Sequence, residues 1–478
     1  MGVARPPGRR PRTRRPAVTT TSAPAPADPA APGLPTCSSD PVRSRRVPVV
    51  LVALLLVGLA VRVPMLGQQS GDYRAFLLPW YSHLVDAGGF AGLADSFSNY
   101  NTPYLALLAL LTYLPVGPLV GIKAISIVFD VVLAAFAYGI VRRVRPDARW
   151  LPTVAFGATF LLPTVLLNGA WWAQCDSLYA SLCLGSLHFL LRRRTALACA
   201  FFGLAFAFKL QAVFFLPALL VLLVVDRQRL RGLVLAPLAF VAALVPAWLA
   251  GRSLLSQLSV YPQQVANPSG AGGSGVARSG SGGFRGAPGG VPGRGGFGQG
   301  GFGQGGPGRG GGGGGGSETA HSFTHNAPTW YAWLPGDAAA TWKWVGLAVA
   351  AAVALAFAVW LVARRRRLAP AEMLLVAATL SLVVPLLLPE MHERYFFLGE
   401  VMAVVAVFVD RRFLVVAGLM QVATLSTYWT YLERQTVLPL EAAAVVALAA
   451  AATATVVLVL RLRAATGRVE EERQTVAA

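Results

Sequence analysis

Charge is what this sequence has least of. Only 13% of its 478 residues are Asp, Glu, Lys or Arg, while 55% are hydrophobic. Soluble domains carry roughly 25% charged residues, so an ordinary water-soluble globular domain is excluded. Lysine is scarcer still: Lys123, Lys209 and Lys343 are the whole complement among 41 basic residues. With abundant Ala, Gly and Pro, this points to GC-rich coding and a bacterial source. Four cysteines, Cys37, Cys175, Cys183 and Cys199, show no metal-ligand spacing and form no disulfide framework. They read as small core residues. There is no Walker loop, no dinucleotide glycine fingerprint and no zinc signature, so a soluble nucleotide donor has no support. A metal site is not predicted, and a divalent-metal requirement stays open.

What is present is a series of long apolar runs that end alternately in arginine blocks and in uncharged or mixed polar clusters. The formal charge of +20 sits largely in those arginine blocks, which orient membrane spans with the basic side inward. It is not read as nucleic-acid binding. Residues 1–46 are rich in Pro, Arg, Ala and Ser without periodicity and read as a disordered cytoplasmic tail. Residues 47–250 then form a membrane module with an outer loop at 67–103. Residues 251–341 form a second outer loop carrying a glycine-rich insertion, 270–316, with text such as Gly295-Gly296-Phe297-Gly298-Gln299-Gly300. Residues 342–461 are the C-terminal spans and 462–478 a cytoplasmic tail. About twelve spans with both termini inside are expected, in an all-α integral membrane fold. Tyr104–Leu114 is too short to span and is expected to lie along the outer interface. Arg62 is expected to snorkel to the interface from the end of the first span.

On this orientation five polar clusters face the same, outer side. They are Gly71-Asp72-Tyr73-Arg74, Asn99-Tyr100-Asn101-Thr102-Pro103, Trp171-Trp172-Ala173-Gln174-Cys175-Asp176, Lys209-Leu210-Gln211 and Pro389-Glu390-Met391-His392-Glu393-Arg394-Tyr395. Ionisable residues beside membrane spans are costly and mark sites. Asp72 is either a cap or surface acid, or a general base for an acceptor hydroxyl. Lys209 and Arg394, with His392, either hold a phosphate by charge-assisted hydrogen bonds or reach lipid headgroups. Trp171 and Trp172 either stack on a sugar face or anchor the interface. Tyr73, Tyr100, Gln174, Asp176, Gln211 and Glu393 complete the sugar or acceptor candidates. Asp130, mid-span, reads as a structural hydrogen-bonded acid, and His188 as packing. His321 and His325 in the second outer loop are weak candidates.

In this order the clusters resemble the GT-C superfamily of integral membrane glycosyltransferases. They look most like the branch that takes glucose from dolichyl-phosphate-glucose. That branch has Gly-Asp-Tyr after its first span, similar to Gly71-Asp72-Tyr73, and its acid there is the proposed base. Its Ala-Asp-Leu-Leu run is similar to Phe129-Asp130-Val131-Val132. Its Lys-Gln-Met element resembles Lys209-Leu210-Gln211, and its His-Glu-Lys element resembles His392-Glu393-Arg394. The chain departs from it at Asn99-Tyr100-Asn101-Thr102-Pro103, which lacks the family's acid and one proline. It departs again at Trp171–Asp176, which shares mainly Gln174. The resemblance implies a GT-C-like bundle. It also implies transfer of a hexose, mannose or glucose, from a polyprenyl-phosphate donor to a glycan or lipid acceptor at the outer face of the cell membrane. No cofactor beyond the lipid-linked sugar is expected. A transporter or flippase is the rival class; it predicts internal repeats and polar groups at mid-membrane depth.

Overall fold

Proline at a helix start and arginine at its end punctuate the apolar text, and the helices follow that punctuation. The computed structural model describes residue 2 and residues 46–228, 230–266, 324–334, 339–363 and 367–477. The predicted N-terminal tail, the insertion 270–316, His321 and Arg364–Arg366 lie outside the described residues. The packing below concerns residues 47–478.

Helix α1 spans Arg46–Arg62. The loop that follows, expected to lie outside, is folded, with α2 at Leu78–Asp86 and α3 at Thr102–Leu111. Then come α4 (Pro118–Val144), α5 (Leu151–Phe160) and α6 (Pro163–Leu166). Pro118, Pro152 and Pro163 lie in the first turn of these helices, where a missing N–H costs nothing. Helices α7 (Asp176–Leu191), α8 (Thr195–Phe208), α9 (Leu216–Val225), α10 (Leu235–Ala243) and α11 (Val245–Leu249) complete the N-terminal part. Two short helices, α12 (Leu254–Leu258) and α13 (Val260–Ala266), lead into the insertion. On its far side come strand β1 (Thr324–His325), α14 (Ala339–Ala363) and α15 (Pro370–Leu387). Strand β2 (Met391–His392), α16 (Phe397–Ala406), α17 (Phe413–Glu433) and α18 (Leu440–Ala477) close the chain. The last helix runs on through the stretch that the sequence assigns to a tail.

The apolar runs fall largely on helix. About twelve spans were expected; among the described residues six helices are long and apolar enough to cross a membrane, and the pair 151–160 and 163–171, bent by 47°, makes up to seven. Segments 195–208, 210–225 and 230–243 are apolar but shorter. The largest core is built from α7, α8, α9, α15, α16 and parts of α17 and α18. A second core fills the outer loop with Leu84, Leu93, Tyr104, Leu105 and Leu108. Helix α3 packs one face into that loop, with Thr102–Leu105 all buried and Leu110 left half exposed.

Arg62 departs from expectation too. It is only 1% exposed and does not reach a membrane surface. Its Nη2 donates to Asp130 Oδ2 at 2.8 Å and to the Phe160 carbonyl at 2.9 Å, and its Nη1 to the Gly58 carbonyl. Ser177 donates to the other Asp130 oxygen. Four helices thus meet at one buried ion pair, the structural role read for Asp130. The reason is local: an arginine at this depth is cheaper paired with a buried acid than stretched toward headgroups. Lys123 is buried beside it and donates to the carbonyls of Met65, Leu66 and Gln68, closing the end of α1.

Candidate active site

Two short π-helical turns set the site. One, Tyr73–Leu77, begins directly after Asp72; the other, Leu167–Trp171, ends directly before Trp172. Such turns hold one extra residue and recur at functional sites. Ala173 then adopts a left-handed conformation, φ 67°, which is strained for a residue with a Cβ. The strain brings the side chains on both sides of it to one target. Trp172 Nε1 donates to Asp72 Oδ2 at 2.9 Å and Gln174 Nε2 to the same oxygen at 2.5 Å. Ser70 Oγ, bonded to the Trp172 carbonyl at 2.6 Å, ties the two segments together.

The C-terminal half supplies the rest. Arg394 Nη1 lies 3.8 Å from Asp72 Oδ2 and 3.2 Å from Glu393 Oε1. Its guanidinium sits 5.4 Å over the Trp172 ring. Tyr431, on α17, donates to Asp72 Oδ1. The Asp72 and Arg394 side chains remain 11% and 15% exposed, so this corner of the site is open. Deeper in, Asp176 is fully buried. It accepts from Lys209 Nζ at 2.5 Å and from Asn168 Nδ2 at 2.8 Å. Tyr100 bridges the two regions, with Lys209 Nζ 5.7 Å over its ring. Gln211 lies beside Tyr395.

The structure therefore brings Asp72, Tyr100, Trp172, Gln174, Asp176, Lys209, Gln211, His392, Glu393 and Arg394 into one neighbourhood. It also corrects several expectations. The Tyr73 ring turns into the outer-loop core and does not face the site. Trp172 has no free face for a sugar: it is fully buried, stacked on Tyr431 at 4.8 Å and edge-on to Tyr428. Its indole N–H orients Asp72 instead. Trp171 is half-buried at the end of its π turn. His392 stacks on His325, with ring centroids 4.7 Å apart. Burial, with Arg394, His325 and Lys209 nearby, holds its imidazole well below the usual histidine range. Burial also pushes Glu393 up to about 7, against the pull of Arg394. For Arg394 burial opposes the charge, but Asp72 and Glu393 outweigh it and keep the guanidinium firmly charged.

Residues 97–277 match the model of glycosyltransferase family 87. This is a family of GT-C-type membrane glycosyltransferases. The matched stretch is less than half of the chain. It holds Tyr100, Asp130, Trp172–Asp176 and Lys209–Gln211, and it leaves out Asp72 and the 389–395 cluster. No curated protein matches the chain. The family match indicates a glycosyltransferase, with a sugar donor and an acceptor, and does not favour the transport alternative. With six candidate spans it describes a multi-pass membrane enzyme.

Sequence reading missed two contributors, Tyr431 and Asn168. Tyr431 lies in the last turn of an otherwise apolar helix, with no neighbouring motif to mark it. Asn168 sits inside an apolar run and has meaning only through Asp176. His325, a weak candidate in the sequence, stacks on a partner 67 positions away, and no local pattern connects the two.

Proposed function

We propose that this protein transfers a hexose from a polyprenyl-phosphate carrier to an acceptor hydroxyl at the outer face of the membrane, by single displacement with inversion. The observation that carries the reading is Asp72, a partly exposed carboxylate held by Trp172, Gln174 and Tyr431 with the Arg394 guanidinium beside it. A base next to a fixed cation is what the step requires. Asp72 takes the acceptor's proton as the acceptor oxygen bonds to the sugar's anomeric carbon. The bond from that carbon to the phosphate oxygen breaks, and the polyprenyl phosphate leaves with the electron pair. Arg394 stabilises the charge that develops on it. Lys209, held deeper by Asp176, contributes its remaining N–H donors from the membrane side. Phosphate is already a good leaving group, so no metal is built into the step. Mannose and glucose both fit this reading, as do glycan and lipid acceptors.

The test is transfer by purified protein from a panel of polyprenyl-phosphate hexoses. D72N keeps shape and removes basicity. It is expected to lower transfer by about 10²–10⁴-fold while leaving donor binding nearly intact. R394A and K209A are expected to weaken donor binding instead, since a hydrogen bond to a charged group is worth roughly 1.5–3 kcal/mol. Full activity in D72N, or no turnover of any polyprenyl-linked hexose by the native protein, defeats the proposal.

A further inference from the structure

The two oxygens of the Asp72 carboxylate are not equivalent. Oδ2 accepts from both Trp172 Nε1 and Gln174 Nε2, and it is the oxygen nearest Arg394 Nη1. A carboxylate oxygen has about two lone-pair positions, so Oδ2 is filled by the scaffold. Among the described residues Oδ1 accepts from Tyr431 alone and keeps one position open.

We infer that Tyr431 is a positioning residue for the transfer step: its phenol fixes Asp72 so that Oδ1 is the oxygen that receives the acceptor's proton. The inference rests on the transfer reading above. Tyr431 is braced for such a role. Its ring stacks on Trp172 at 4.8 Å with planes 27° apart, and the Arg434 guanidinium lies 5.7 Å from its centroid. The helix end that carries it is tied down one turn earlier, where Asn326 Nδ2 donates to the Thr427 carbonyl at 2.9 Å. Asn326 follows β1, which pairs in parallel with β2 at Thr324–Met391 and His325–His392. Tyr431 is thereby linked to the segment that delivers Arg394. Both groups reach Asp72 from the C-terminal half, while Trp172 and Gln174 reach it from the N-terminal half. The phenol and the arginine thus hold the carboxylate from the side opposite Trp172 and Gln174 in the chain.

A hydrogen bond donated to a carboxylate favours its charged form. Y431F keeps the ring and its stack and removes only the O–H. In the purified full-length enzyme it is expected to move the acidic limb of kcat/KM for the acceptor up by about one pH unit. The plateau should fall by roughly tenfold as the carboxylate loses its orientation. Donor affinity should stay within about twofold, because no phosphate contact is lost. A second variant guards against misfolding: 3-fluorotyrosine at position 431 keeps ring and O–H and strengthens the donor, and should move the limb the opposite way. An unmoved acidic limb in both proteins overturns the inference. If D72N abolishes transfer and those limbs stay put, only the role of Tyr431 falls; if D72N transfers at the native rate, the reading beneath it falls as well.

Discussion

At residue scale the site is a balance of three carboxyl groups, on Asp72, Asp176 and Glu393, against two cations, on Lys209 and Arg394. Glu393 tips it. Burial pushes its carboxyl up to about 7, so below that pH the group is neutral and no longer competes with an anion for Arg394, which still faces Asp72. Above it a carboxylate 3.2 Å from the guanidinium competes with phosphate. Donor KM is therefore expected to rise as pH passes upward through about 7, and E393Q should flatten that rise; a rise of equal size in E393Q counts against it. The direction follows from which protonation state carries the extra negative charge. Asp72, Lys209 and Arg394 were legible in the sequence because charge is so scarce that each survivor stands out. The partners of Asp72 were not. Trp172 and Gln174 looked like sugar contacts, and only the left-handed Ala173 turns both toward the acid. Burial, invisible in the letters, is what depresses the His392 imidazole.

At the scale of elements the ion pair between Arg62 on α1 and Asp130 on α4 holds the N-terminal half together. Removing one partner of a buried pair strands the other and costs about 3–5 kcal/mol, whereas replacing both with apolar groups is often neutral. R62M should sharply lower the melting temperature in detergent, and R62M/D130L should recover most of the loss. Equal melting of R62M and the native protein would show that the pair is not a structural joint. Hydropathy placed the helical runs, since apolar length is what the sequence records most directly. It did not record that α3 buries one face in the loop core, because an apolar helix in a membrane protein has two apolar destinations, lipid and a folded loop. Composition does not separate them. Arg62 posed the same ambiguity for a charge: headgroup or buried acid. That choice depended on Asp130, 68 residues away.

For the whole molecule, the second large loop is anchored at the stems on both sides of its glycine-rich part. Gln257 accepts from the Thr102 hydroxyl and Gln264 donates to the Asn99 carbonyl, while β1 pairs with β2 beside Arg394. Deleting 270–316 and keeping both stems should leave melting and most transfer activity intact. A collapse of folded yield would mean that the segment packs against the bundle. The paired π turns have a different consequence. A regular helix advances about 100° per residue, so each turn works as a one-residue spacer in the gearing between halves of the protein. Helix α1 is locked upstream by Arg62 and Lys123, and α7 downstream by Asp176 and Ser177. Neither can rotate to absorb a lost residue. Excising a single position from 74–77, or Leu167, Gly169 or Ala170, would leave every side chain of the site present in the sequence, and aim Asp72 and Trp172 past one another.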